Sequence, residues 1–156
     1  MTVFRSLLFF LWFAFVSVAL HLAALPALLL PRRATVWASR CWSAALLWGL
    51  KAIVGLDYQV RGEIPKGGVL VAAKHMSMWD TVALYLLLFD PAVVVKRELL
   101  RIPFYGWYIQ KVRVIPIDRS GHASALRQMA AQGRAAIAAG RPIVIFPEGT
   151  RKKPDA

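Results

Sequence analysis

Cysteine is almost absent, because Cys41 is the only one in the 156 residues. A single cysteine cannot form an intrachain disulfide, a redox pair or a zinc site built from thiols alone. No histidine lies near Cys41 in the sequence and its neighbours are largely apolar, so we interpret it as a small buried hydrophobic residue. Any chemistry of this chain must therefore use groups other than thiols.

Acidic residues are also scarce, since eight Asp and Glu stand against twenty Lys and Arg, giving a formal net charge of +12. This charge favours anionic partners, which include nucleic acids, anionic membranes and anionic substrates. The basic residues are scattered from Arg5 to Lys153 without the aromatic platforms of a nucleic-acid-binding module, so we expect no nucleic-acid partner. An anionic bilayer attracts each nearby Lys or Arg by about 1 kcal/mol, which makes membrane lipids the expected partner.

Apolar residues are abundant, at 58% of the chain compared with roughly 45–50% in soluble domains. Most of the excess precedes Asp57, and the run from Ser6 to Leu30 is interrupted only by Ser, His and Pro. It exceeds the roughly 20 residues that a spanning helix needs and is longer than the apolar part of a signal peptide. Arg32 and Arg33 follow it, which predicts a membrane location with the rest of the chain on the cytoplasmic face.

The segment from Arg33 to Leu56 is again apolar but carries one basic stripe. At 100° per residue, Arg33, Arg40 and Lys51 fall within about 20° of one another. Together with its three tryptophans, this predicts a helix at the headgroup level of the bilayer, with packing on a soluble domain as the alternative. The prolines between the two segments could also turn the chain, so one span and a re-entrant helix pair both remain open.

After Gly55, short β-branched runs alternate with helical patterns, which predicts an α/β fold with a mixed, largely parallel sheet flanked by helices. We therefore divide the chain into N-terminal membrane helices at 1–56 and an α/β domain at 57–156. The predicted strands are at 57–61, 68–74, 92–96, 112–117 and 142–146, and the predicted helices at 81–89 and 122–139. In the second helix the expected core face comprises Leu126, Met129, Ala130, Gly133 and Ile137.

His75 and Asp80 follow the predicted strand at 68–74. They would lie about 140° apart on one continuous helix, but they can meet across a strand-to-helix turn. Asp80 could then accept the imidazole Nδ1–H, which leaves Nε2 to act as a general base on a substrate hydroxyl, a role typically worth 10²–10⁴ in rate. The alternative is a capping box in which Ser77 is the N-cap and Asp80 the third helical residue. The two interpretations are compatible.

A second group of polar residues follows the predicted strand at 142–146. Gly149 permits close backbone approach, Thr150 offers a hydroxyl, and Arg151 can grip a phosphate through two parallel hydrogen bonds. Arg119 follows another predicted strand and could converge on the same edge. We expect Glu148 to orient an arginine or to bind a substrate hydroxyl. The alternative is an ordinary solvated basic loop.

Three blocks in order resemble the glycerophospholipid acyltransferase family, and within it the 1-acylglycerol-3-phosphate acyltransferases. They are His75 to Asp80 as His-x4-Asp, Pro103 to Trp107 with Ile115 to Arg119 as the second block, and Phe146 to Arg151 as Phe-Pro-Glu-Gly-Thr-Arg. The resemblance covers residues 57–153, so the second domain would be an acyltransferase domain. One departure is Lys74, where the family commonly has Asn.

The resemblance implies that His75 takes the proton of a lysophosphatidate hydroxyl, which attacks the thioester of acyl-CoA or acyl carrier protein to give phosphatidic acid. Asp80 would hold His75, and the substrate-binding residues would be Arg119, Glu148, Gly149, Thr150 and Arg151. No metal or other cofactor is expected, and the partners would be lysophospholipid, acyl thioester, membrane lipids and acyl carrier protein. Alternatives are another acceptor, such as glycerol 3-phosphate, another lysophospholipid or a lyso amino-acid lipid, and a non-catalytic membrane-binding protein.

The family pattern also implies further strands beyond the third block. We therefore expect the acyltransferase domain to be incomplete at its C-terminal end. On that expectation, a sheet that ends at Ile145 would leave an unpaired edge and part of its core uncovered.

Overall fold

The structure is a computed structural model that describes residues 2–118 and 122–150. The chain divides into two compact units, Met1–Glu63 and Ile64–Ala156.

The N-terminal unit consists of two long helices and two short helical segments. Helix α1 spans Thr2–Ala23 and is followed by a 3₁₀ turn at Leu25–Leu28, which has a proline in its first turn. Helix α2 spans Arg32–Gly49 and continues as a π-helical turn at Leu50–Val54. Among the described residues, one helix, Val3–Ala23, is long and apolar enough to cross a membrane, and almost none of it is buried within the protein.

Tryptophans join α1 and α2 into an antiparallel pair. The indole Nε1 of Trp12 donates to the carbonyl oxygen of Ala45 at 3.1 Å, and that of Trp42 donates to Ser17 Oγ at 3.0 Å. A buried or lipid-facing N–H is costly without a partner, so these bonds fix which faces meet. A Cβ on Gly49 would overlap the Trp12 indole, so the close approach there requires glycine.

The strand predicted at 57–61 is not formed, because residues 55–61 have no regular secondary structure. Gly55 and Gly62, at φ 82° and 87°, turn the chain on both sides of the segment. Asp57 instead forms an exposed ion pair with Lys51 at 2.6 Å, and the hydrogen bond from Lys51 lowers the pKa of its carboxyl. Tyr58 and Val60 favour a strand locally, but a strand also needs a neighbour with which to pair.

The second unit contains a four-stranded sheet. The strands are β1 at Leu70–Ala72, β2 at Ala92–Lys96, β3 at Ile115–Ile117 and β4 at Ile143–Ile145. Their order is β1-β4-β2-β3, and every pair is parallel. This confirms the predicted α/β fold with a parallel sheet. Strand β4 is an inner strand, because it pairs with β1 on one side and β2 on the other.

Helices cover both faces of this sheet. They are α3 at Met78–Leu87, a 3₁₀ helix at Arg97–Arg101, α4 at Tyr105–Lys111 and α5 at His122–Ala138. One core cluster comprises Tyr85, Leu88, Val93 and Val144, and the other comprises Ala92, Ile115, Ala136 and Ile143. Because successive strand residues point to opposite faces, α3 packs on one face of the sheet and α5 on the other.

The predicted core face of α5 is only partly correct. Gly133 is buried and Met129 packs against the core, but Leu126 and Ile137 are 56% and 42% exposed. Ala136, which the prediction left out, is 7% exposed and touches the sheet. The contact with the sheet is therefore made by Met129 and the small residues Gly133 and Ala136.

A buried arginine joins the N-terminal ends of three strands. Arg141, which precedes β4, forms an ion pair with Asp90 at 3.3 Å. Its guanidinium also donates to the carbonyl oxygens of Asp90, Pro91, Val112 and Arg113, which precede β2 and β3. A buried charge is tolerated only when it is paired and hydrogen-bonded, as it is here. This network fixes one end of the sheet and leaves the C-terminal ends of the strands for the site.

Candidate active site

The two sequence blocks predicted to carry chemistry meet because their strands are neighbours. Strands β1 and β4 pair in register, with Ala72 opposite Ile145. The pairing continues one residue further, since Ala73 N donates to the Ile145 carbonyl oxygen at 3.0 Å. The chain that leaves β1 toward His75 therefore runs beside the chain that leaves β4 toward Glu148.

His75 and Asp80 are in contact across the turn between β1 and α3. Nδ1 of His75 lies 3.2 Å from Oδ2 of Asp80, and the same oxygen accepts the backbone N–H groups of Met76 at 2.6 Å and Ser77 at 2.7 Å. Ser77 is the N-cap of α3, and its capping box with Asp80 is complete. Both predicted arrangements are thus present together, with one carboxylate serving the helix cap and the imidazole.

This contact determines which ring nitrogen carries the proton. An ionised carboxylate can only accept hydrogen bonds, so Nδ1 of the neutral imidazole must be the donor. Nε2 is then left with its lone pair, which is the form that a general base requires. The two side chains are 19% and 14% exposed, so the pair is largely shielded from bulk water.

Two residues of the third block contact His75 directly, and sequence reasoning did not anticipate either contact. The ring of Phe146 stacks on the imidazole, with centroids 4.3 Å apart and planes 30° apart. Oε2 of Glu148 accepts the backbone N–H of His75 at 3.2 Å. We had expected Glu148 to bind an arginine or a substrate hydroxyl. Only the pairing of β1 with β4, which no local pattern reveals, predicts these contacts.

Of the other predicted site residues, Gly149 and Thr150 lie in the turn after β4. Gly149, at φ 63°, closes a turn in which its N–H donates to the Phe146 carbonyl oxygen at 2.9 Å, and Thr150 is exposed. Arg119 and Arg151 lie outside the described residues. Strand β3, which precedes Arg119, ends three strand spacings from β1, or about 14 Å away along the edge of the sheet.

Within residues 2–118 and 122–150, no group of three or more His, Cys, Asp and Glu is placed to hold a metal ion. The absence of a metal or other cofactor from the reaction stays a prediction.

The fold and the His75–Asp80 contact define an α/β protein with a histidine–carboxylate pair at the C-terminal edge of its sheet. The chain belongs to the acyltransferase family, whose model matches residues 56–155. The fold and family predicted from the motifs are therefore confirmed.

Named relatives and a solved structure agree with this assignment. The chain is 39% identical over 112 residues to a 1-acyl-sn-glycerol-3-phosphate acyltransferase of Pseudomonas aeruginosa, covering 70% of this chain and 44% of the relative. It is 32% identical over 105 residues to one of Helicobacter pylori, covering 65% and 43%. The crystal structure of the 1-acyl-sn-glycerophosphate (LPA) acyltransferase PlsC from Thermotoga maritima superposes with a TM-score of 0.74 at 25% identity, over 97% of this chain and 64% of that one. The chain thus spans less than half the length of these two curated relatives.

Proposed function

We propose that the full-length protein is a membrane-bound 1-acylglycerol-3-phosphate acyltransferase. It transfers a fatty acyl group from acyl-CoA or acyl carrier protein to the free hydroxyl of lysophosphatidate and forms phosphatidic acid for phospholipid biosynthesis. The observation that carries the proposal is the contact between His75 Nδ1 and Asp80 Oδ2 beside the Phe-Pro-Glu-Gly-Thr-Arg turn. The named relatives support the choice of acceptor.

The reaction is a direct transfer that needs no covalent enzyme intermediate. Nε2 of His75 removes the proton of the acceptor hydroxyl as the oxygen attacks the thioester carbonyl. A C–O bond forms and the C–S bond breaks, and the proton on the imidazolium passes to the departing thiolate. Asp80 stabilises the imidazolium during this step.

The phosphate of the acceptor would be held by the turn after β4. In this proposal Arg151 binds it, with Arg119 as a second cation, while Gly149 lets the backbone approach and Thr150 offers a hydroxyl. The Glu148 carboxylate already bonds the His75 backbone through Oε2, so its other oxygen is the one available to the glycerol part of the substrate.

Replacing Arg151 with alanine tests the phosphate assignment. Losing a charge-assisted hydrogen bond costs about 1.5–3 kcal/mol, so kcat/KM for lysophosphatidate should fall about 10- to 150-fold. Monoacylglycerol, which has no phosphate, should be acylated equally slowly by both proteins. The matched control is Lys153→Ala, a nearby cation outside the motif. Unchanged kcat/KM for lysophosphatidate in the Arg151 variant would refute the proposal that Arg151 binds the phosphate.

We also propose that the protein is held at the membrane by its N-terminal unit, with the acyltransferase domain on the cytoplasmic face. Support comes from the exposed apolar helix at Val3–Ala23 and from Arg32 and Arg33 after it. A cysteine introduced at Gly67, in a Cys41→Ser background, should react with an impermeant maleimide only in inside-out vesicles. Labelling in right-side-out vesicles would show that the acyltransferase domain lies on the opposite face of the membrane.

A further inference from the structure

The ring of Phe146 contacts the imidazole of His75, as the carboxylate of Asp80 does. The two rings are stacked with centroids 4.3 Å apart and an interplanar angle of 30°. They come from different strands, since His75 follows β1 and Phe146 is the residue after β4. The contact therefore links the base to the turn proposed to hold phosphate.

The bond to Asp80 does not by itself fix the plane of the imidazole. Its length of 3.2 Å exceeds the roughly 2.7–2.9 Å of a strong charge-assisted bond. A single bond of this length also leaves the ring room to rotate about its Cβ–Cγ bond, because the torsion that orients a histidine ring has broad minima. Such a rotation would swing Nε2 away from the acceptor hydroxyl.

The packed ring of Phe146 restricts this rotation of the imidazole. Its ring packs against the buried cluster of Tyr85, Leu88, Val93 and Val144, which joins α3 to the sheet. Close-packed core side chains move little, so the phenyl face is held in place. The Glu148 carboxylate fixes the same histidine from another direction, through its backbone N–H.

The stacked face also suits the charged form of the base. The face of an aromatic ring is electron-rich and attracts a cation placed over it. When His75 accepts the hydroxyl proton, the imidazolium lies over this face. Phe146 should thus favour the protonated state that forms during the reaction.

We propose that Phe146 is a positioning residue for acyl transfer, which holds the His75 imidazole in the plane that presents Nε2 to the acceptor. This inference rests on the proposed function for its kinetic part. Phe146, the first residue of the Phe-Pro-Glu-Gly-Thr-Arg motif, thus has a role distinct from phosphate binding. It acts on the reaction through His75.

The experiment uses the full-length protein in detergent micelles with Phe146→Leu, Phe146→Tyr and the matched control Phe89→Leu. Phe89 lies in the same unit and is 66% exposed. Losing the stacked face should lower kcat by about five- to thirtyfold and leave KM within twofold, because the acceptor contacts are intact. Phe146→Tyr keeps the ring and should restore kcat, and Phe89→Leu should match the wild type.

A second readout does not depend on turnover. In protein labelled with ¹⁵N-histidine, the imidazole signals of His75, assigned by their loss in His75→Ala, report how protons are distributed over the two nitrogens. We expect one predominant Nδ1–H form in the wild type and in Phe146→Tyr, and signals averaged toward both forms in Phe146→Leu. Should the leucine variant not fold, Phe146→Met refills the core volume and carries the same expectation.

Wild-type kcat and unchanged ¹⁵N signals in the leucine or methionine variant would overturn the proposal. So would a tyrosine variant as slow as the leucine variant with the same loss of thermal stability, because that indicates only a packing role. A wild-type protein that transfers no acyl group would refute the proposed function, while the ¹⁵N comparison would still decide whether Phe146 orients His75.

Discussion

Replacing His75 with alanine in the full-length protein should lower kcat/KM for acyl transfer by about 10²–10⁴, the range that a positioned general base contributes. Nε2 is the only nitrogen of this pair free to accept the hydroxyl proton, because Nδ1 is directed at Asp80. Alanine leaves the hydroxyl to lose its proton to water, which is a poor base. The measurement is the initial rate of phosphatidate formation from lysophosphatidate and an acyl thioester.

Membrane attachment provides the internal control for this variant. The N-terminal unit is unchanged, so the His75→Ala protein should sediment with membranes as the wild type does. Gln128→Ala, at an exposed position of α5, should leave the rate within about twofold of the wild type, as most surface substitutions do. Turnover retained in the His75 variant would refute His75 as the base. A non-catalytic membrane-binding protein would show no transfer in any form, the wild type included.

The parts of the site that the sequence predicted are those that depend on neighbouring residues. Ser77 and Asp80 form the expected capping box, and Asp80 also reaches His75, because all three lie within one turn of chain. Capping and turn geometry are local properties, so residue spacing is enough to infer them. The parallel α/β architecture was predictable for a similar reason, since it follows from the alternation of strand and helix patterns.

The parts that sequence reasoning missed depend on strand order. Phe146 and Glu148 touch His75 only because β4 inserts between β1 and β2, which is a non-local pairing. The same insertion makes β4 an inner strand. The strand order also places the end of β3 three strand spacings from β1. The expectation that the residues after these strands converge at one place did not take this separation into account.

Two further errors arose where tertiary packing outweighed local preference. Residues 57–61 have the β-branched and aromatic character of a strand, yet they lie between two glycines with positive φ and pair with no strand. In α5, Ile137 was expected in the core because it shares a helix face with Met129 and Gly133, but Ala136 makes the contact with the sheet. Arg141 was likewise indistinguishable in sequence from a solvated surface arginine.

Replacing Asp80 with asparagine should lower kcat by about 10- to 150-fold, because a hydrogen bond to a charged group contributes about 1.5–3 kcal/mol. The asparagine carbonyl oxygen takes the place of Oδ2, where it accepts the N–H groups of Met76 and Ser77, so it can still accept from Nδ1–H of His75. What is lost is the negative charge that stabilises the imidazolium. We expect KM for lysophosphatidate to change little, because Asp80 bonds His75 and the turn around it, and not the proposed phosphate site.

Ser77→Ala is the control that separates catalysis from helix capping. Ser77 Oγ accepts the N–H of Trp79 at 3.1 Å, and losing an N-cap bond typically costs about 0.5–2 kcal/mol of stability. The alanine backbone can still donate its N–H to Asp80 Oδ2, so the contact with His75 persists. This variant should melt at a lower temperature and keep nearly full kcat well below that temperature, whereas Asp80→Asn should lose kcat while still folded. Equal losses of kcat in the two variants would show that Asp80 acts only as part of the helix cap, and the His75–Asp80 contact would then have no part in proton transfer.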